Sequence, residues 1–135
     1  VLPSPAETVS SSEATTQGIR VEVESRYSPE HSKPGQWFFL YTVRISNLGS
    51  ETVQLISRHW IIRDANDRVD EVQGPGVVGD QPILEPGQSY EYTSGCPLPT
   101  PFGSMIGTYR MVATDGEQFD AEIAEFLLRE PGSIH

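Results

Sequence analysis

Gly74-Pro75-Gly76-Val77-Val78-Gly79 has the G-x-G-x-x-G spacing of a nucleotide-binding turn, and its reading decides the fold. In a dinucleotide-binding fold these glycines join a strand to a helix whose N-terminus holds the pyrophosphate. Here Asp80-Gln81-Pro82 and Glu85-Pro86-Gly87 follow. A helix starting at Gly79 would tolerate Pro82 in its first turn. Pro86 would fall in its interior, at a cost of about 3 kcal/mol or more. The Rossmann reading therefore fails, and the flanking sequence speaks for strands.

Upstream, residues 53–64 read as a strand that is apolar on both faces in its second half (Trp60, Ile61, Ile62), which predicts a central position in a sheet. Asn66-Asp67 predicts a tight hairpin turn, since both residues tolerate positive φ. Residues 68–72 form the returning strand, and residues 74–87 a long irregular connection. Further upstream, Ile19, Val21 and Val23 alternate with polar residues, and Trp37, Phe39, Tyr41, Val43 and Ile45 share one face of a longer strand. Residues 27–35, with Pro29, Pro34 and Gly35, separate those two strands as a loop. Downstream, residues 89–94 alternate through Tyr90 and Tyr92. Pro97, Pro99, Pro101 and Gly103 mark a loop, and residues 106–114 and 118–128 make a hairpin around Asp115-Gly116. In the last strand Phe119, Ala121 and Ile123 have one parity, Phe126 and Leu128 the other. One extra residue restores both sets to the core, so a β-bulge is expected at Ala124-Glu125. About seven strands without helical periodicity predict an all-β fold, an antiparallel immunoglobulin-like β-sandwich. Trp60 is expected in its core.

The chain's 135 residues suit one domain, and 12 Gly with 11 Pro suit many short elements joined by turns. Residues 1–17 have the composition of a disordered tail, with order expected over residues 18–130. A net charge of −10 argues against nucleic acid and anionic membranes, which need clustered Lys and Arg. Cys96 is the single cysteine, so no intrachain disulfide is available, and a reducing compartment fits. No basic n-region with an apolar core opens the sequence, and no apolar run approaches the roughly 20 residues of a membrane span. The expectation is a cytoplasmic protein without membrane insertion.

Several blocks then carry a resemblance. They are Arg58-His59-Trp60, the Gly74–Gly79 run, Gln81-Pro82, Pro86-Gly87, Tyr92-Thr93-Ser94-Gly95, Thr100-Pro101-Phe102-Gly103 and Met105-Ile106-Gly107-Thr108-Tyr109. In this order they resemble the ApaG family over roughly residues 14–130. The resemblance implies a fibronectin-type-III-like sandwich in a small cytosolic protein associated with cobalt and magnesium resistance, also called CorD. It further implies genes neighbouring one for diadenosine tetraphosphate hydrolysis, and a similar domain at the C-terminus of certain F-box proteins, where it mediates protein interactions. No enzymatic activity comes with it. Two residues depart from the family pattern: Asp67 stands where Gly is usual in the hairpin turn, and Pro75, where a charged residue is frequent, removes one backbone N–H.

The candidate chemistry is weighed residue by residue. The amides of Gly74, Gly76, Val77, Val78 and Gly79 could cradle pyrophosphate or a nucleotide, with Arg58, His59, Arg63 and Arg68 as the nearest cations. The competing reading, a turn in which glycine supplies positive φ and the valines pin the loop, is preferred, because no helix follows. His31, His59 and His135 are scattered without metal-ligand spacing. Asp64, Asp67, Asp70 and Glu71 read as a solvated hairpin rather than a Mg²⁺ site, so no metal and no cofactor is assigned. Cys96, Ser94 and Ser104 lack a nucleophile motif. The chain is read as a non-catalytic interaction module with an unidentified protein partner; the alternative is a pyrophosphate or nucleotide binder using Gly74, Gly76, Gly79, Arg58 and His59.

Overall fold

Period-two alternation becomes extended chain almost throughout the computed structural model, which describes residues 9–132. Nine strands follow in order: β1 Val9–Thr16, β2 Ile19–Tyr27, β3 Trp37–Asn47, β4 Val53–Asp64, β5 Val69–Pro75, β6 Ile83–Leu84, β7 Ser89–Leu98, β8 Phe102–Ala113 and β9 Gln118–Arg129. One sheet runs β1-β2-β3-β7, the other β5-β4-β8-β9, with β6 beside β4. Every pairing is antiparallel. The expected β-sandwich is thus present, with β1 and the two-residue β6 beyond the seven strands predicted. The described residues contain no helix long and apolar enough to cross a membrane.

The inner faces follow the alternation. Phe39, Tyr41, Val43 and Ile45 of β3 are buried against Trp60, Tyr109, Met111, Phe126 and Leu128 of the other sheet. Trp60 is 2% exposed and stands edge-on to Tyr41 and Phe126, with ring centroids 5.4 and 5.8 Å away. Each such large side chain contributes about 1.5–3 kcal/mol through burial. β4 is central between β5 and β8, as its two apolar faces suggest. The bulge also falls where parity places it. Met105 pairs with Phe126 and Gly107 with Ile123, so Ala124 and Glu125 stand against the single residue Ile106.

The disordered tail is corrected over most of its length. Residues 1–8 lie outside the described residues, but Val9–Thr16 pairs with β2 from Val9↔Arg26 to Thr16↔Ile19. Gln17 and Gly18, with φ of 47° and 82°, form the two-residue turn that suits a twisted hairpin. β1 also holds β9. Ser12 Oγ donates to the Ala124 carbonyl at the bulge (2.8 Å), and Thr16 Oγ1 accepts the Glu122 N–H (3.1 Å). A polar strand is stabilised here by ladder and hydroxyl hydrogen bonds, which an estimate from apolar content does not count. The ordered unit therefore begins no later than residue 9, not at 18.

Three boundaries shift for a related reason. β5 extends to Pro75 and takes in Gly74, while β7 takes in Pro97 and β8 takes in Gly103. Proline fits an edge strand wherever its nitrogen faces away from the neighbour. Gly76 donates to the Ile56 carbonyl and Asp64 to the Arg68 carbonyl. Antiparallel alternation then makes Arg58↔Gly74 a bonded pair and Ser57↔Pro75 a non-bonded one. Pro75 loses no ladder bond.

Candidate functional site

The Gly-rich segment is a structural turn. Gly76 has a φ of 61°, and a Cβ there would lie 2.3 Å from the Asp80 carbonyl oxygen, so only glycine fits. The Val77 N–H donates to the Asp80 carbonyl and the Asp80 N–H to the Val77 carbonyl, both at 2.8 Å. Between them Val78 and Gly79 both take positive φ, 41° and 85°. Val77 is buried in the core, and Tyr90 Oη donates to Asp80 Oδ2 (2.7 Å), tying the turn to β7. The amides of Gly76 and Val77, both candidates for an anion cradle, have backbone acceptors, and the ladder phase gives the Gly74 amide to Arg58.

Arg58 shares the face of Trp60 on β4, two residues away. Its Nη1 donates to the carbonyls of Pro75 (3.0 Å) and Gly76 (2.9 Å). A Cβ at Gly74 would stand 3.2 Å from that guanidinium, so this glycine leaves room for a cation instead of donating to an anion. His59 faces the opposite way, with Nε2 2.7 Å from Glu71 Oε1 and 3.3 Å from Gln73 Nε2. Arg58, His59 and Gly74 meet at a shallow polar hollow that Ser57, Thr108 and Arg110 also line. Gly76 and Gly79 do not line it. Arg110 Nε donates to Asp120 Oδ1 at 2.7 Å, which raises the guanidinium pKa.

The larger concavity lies at the seam between β4–β5 and β7. Hydrogen bonds from β1 and β2 to β9 close the sandwich on its other side, including one from Ser25 Oγ to the Leu127 carbonyl. On the β5–β7 side the two sheets part to leave a cleft of about 520 Å³. Tyr41, Trp60, Ile62 and Met105 are among its apolar lining residues, Val72 stands on one wall and Cys96 and Leu98 on the other. Arg58 marks one end, and Asp64, Asp70, Glu71 and Arg68 the other. Nothing in the sequence signalled this cleft, because β5 and β7 become neighbours only through the sheet order.

The cleft's polar groups suit binding better than bond-making. Burial pushes the Cys96 thiol pKa up to about 12, with the Asp70 carboxylate adding to the shift, so the thiol is protonated at neutral pH. Ser94 hydrogen-bonds the Tyr41 hydroxyl, whose own pKa is raised by burial. Deeper in, the Tyr92 and Tyr109 hydroxyls hydrogen-bond to each other across the sheets. The acidic hairpin is a folding device at its base: Asp64 Oδ1 accepts the N–H groups of Asn66 (2.8 Å) and Arg68 (3.1 Å). Asp67, not Asn66, takes the positive φ there, 63°. Among the described residues no three His, Cys, Asp or Glu side chains gather as a metal site. His135 lies outside the described residues.

Comparison with known proteins supplies the wider setting. The family model described as ApaG domain matches residues 27–113. A Protein ApaG from Anaeromyxobacter dehalogenans strain 2CP-C is 58% identical over 124 residues, covering 92% of this chain and 99% of that protein. The Bordetella pertussis Protein ApaG is 57% identical over 119 residues, covering 87% and 91%. A crystal structure from Bordetella pertussis, designated ApaA, superposes with a TM-score of 0.82 at 57% identity, covering 85% of this chain and 95% of that one. A second X-ray structure, a structural-genomics target, gives a TM-score of 0.82 at 50% identity, covering 87% and 91%.

Proposed function

Since this chain belongs to the ApaG family, with a model match over most of its length, we propose that it is a non-catalytic interaction module that seats a protein partner in the cleft between β5 and β7. The observation that carries this reading is the cleft itself: an apolar floor, charged ends, and a thiol and hydroxyls that are protonated or already bonded. Concave apolar sites with a few placed polar groups are where ligands bind. A cytoplasmic setting belongs to the reading, because Cys96 has no second cysteine to pair with in this chain. Any role in cobalt and magnesium resistance would then run through a partner instead of bound metal.

Peptide display tests the reading. Clones are selected on the immobilised chain and counter-selected on Val72→Trp, which fills the cleft. The expected clones bind the chain but not the variant, and they shift the amides of Trp60, Cys96 and Met105 in ¹H–¹⁵N spectra. A selection whose clones all map to the outer face of β1–β2 overturns the reading.

A second reading is favoured by the hollow where Ser57, His59, Thr108 and Arg110 converge, which gives a pyrophosphate or nucleotide a site outside the glycine turn. Glu71 already engages His59, and Asp120 already engages Arg110, which places it second. Saturable micromolar shifts of the His59 and Thr108 amides on pyrophosphate addition, at physiological salt, would move it to first.

A further inference from the structure

We propose that the cleft recognises an extended segment of a partner protein carrying an acidic, an apolar and a basic side chain at alternate positions; this rests on the cleft being the partner seat. Arg58, Trp60 and Ile62 occupy successive same-face positions of β4, and Gly74, Val72 and Asp70 stand opposite them on β5. The cleft thus runs from a guanidinium, past an indole and a valine, to a carboxylate. Four residues separate its ends, about 13 Å of extended chain. A bound extended peptide repeats one face every second residue, so its positions i, i+2 and i+4 meet these three stations in register.

Both poles are built into the fold. At one end the Pro75 and Gly76 carbonyls hold the Arg58 guanidinium in place. At the other, Asp64 and Asp70 set two carboxylates against one guanidinium, Arg68, while the Glu71 side chain turns to His59 on the opposite face. Asp64 is tied to its own turn, which makes the exposed Asp70 the group that faces a ligand. The edge of β5 adds a backbone surface. Its ladder phase turns the main-chain groups of Val69, Glu71 and Gln73 away from β4, and Pro75 ends that row. An extended peptide can pair with such an edge while its alternate side chains enter pockets.

The test uses three blocked synthetic heptapeptides, Gly-Glu-Ser-Leu-Ser-Lys-Gly, the same peptide with Glu for Lys, and the same peptide with Lys for Glu. Each is titrated into the ¹⁵N-labelled chain. The Glu/Lys peptide is expected to shift the Trp60, Val72 and Cys96 amides saturably and to bind at least about tenfold tighter than either control, the effect of one well-placed charge pair. In Asp70→Lys the preference should pass to the Glu/Glu peptide. Asp67→Lys, at the tip of the same hairpin, should leave the preference unchanged. If all three peptides shift the cleft amides equally, the charge register is wrong while the cleft stands as the seat. If none shifts them, both this inference and the reading it rests on are overturned.

Discussion

Val78 carries a β-branched side chain at a φ of 41°, where every other positive-φ position among the described residues is glycine, Gln or Asp. The left-handed region disfavours such a residue by about 1–2 kcal/mol, and Val78 is 56% exposed, so core packing does not compensate. Asn is far better suited to the first central position of a turn with two positive φ values. Val78→Asn should therefore raise stability by about 0.5–1 kcal/mol, read as a higher urea midpoint at unchanged m. Gly76→Ala should act in the opposite sense and strongly, because its Cβ would strike the Asp80 carbonyl. The six-residue motif was legible as a glycine turn, but not the separate reasons for its glycines. Gly74 admits Arg58, Gly76 admits a carbonyl and Gly79 supplies φ. Trp60 was legible from its strand, and its edge-on contacts with Tyr41 and Phe126 make Trp60→Ala cost about 3–5 kcal/mol in denaturant unfolding.

At the scale of elements, alternation succeeded wherever one face of a strand is buried, since a one-residue slip would turn every side chain to the wrong side. That constraint is what located the Ala124-Glu125 bulge from parity alone. It is silent on β1, whose residues are half-exposed or exposed throughout and whose partners are backbone and hydroxyl groups. Deleting residues 1–17 should consequently destabilise the protein, lowering the melting temperature by about 5 °C or more, because β2 and β9 lose an edge partner together. Calorimetry of the truncated chain checks this, and an unchanged transition would mean that β1 contributes nothing net. The cleft escaped sequence reading for a different reason. Its walls come from β5 and β7, which alternation predicts singly, while their proximity depends on the order of strands within two sheets.

For the molecule as a whole, the groups that link folding to pH are acids buried in neutral form between the sheets. Cys96 rises from an ordinary value near 9 to about 12, chiefly through burial. Burial likewise raises Tyr41, Tyr92 and Tyr109 above the usual phenol value of 10. Because the folded values exceed the unfolded ones, the folded chain binds more protons at alkaline pH. The stabilising contribution is therefore complete below about pH 9 and is lost as pH rises through the folded values. Stability should be insensitive to these groups at neutral pH and fall steeply from about pH 9–10 upward. A sequence with one cysteine and five tyrosines does not disclose this, since exposed phenols would titrate independently. The check is absorbance at the tyrosinate band followed together with far-ultraviolet circular dichroism. Ionisation of Tyr41, Tyr92 and Tyr109 should arrive in one cooperative step with loss of the β signal. If every phenol instead titrates smoothly near its ordinary value while the strands persist, the hydroxyls between the sheets are reached by water and their burial does not link folding to pH.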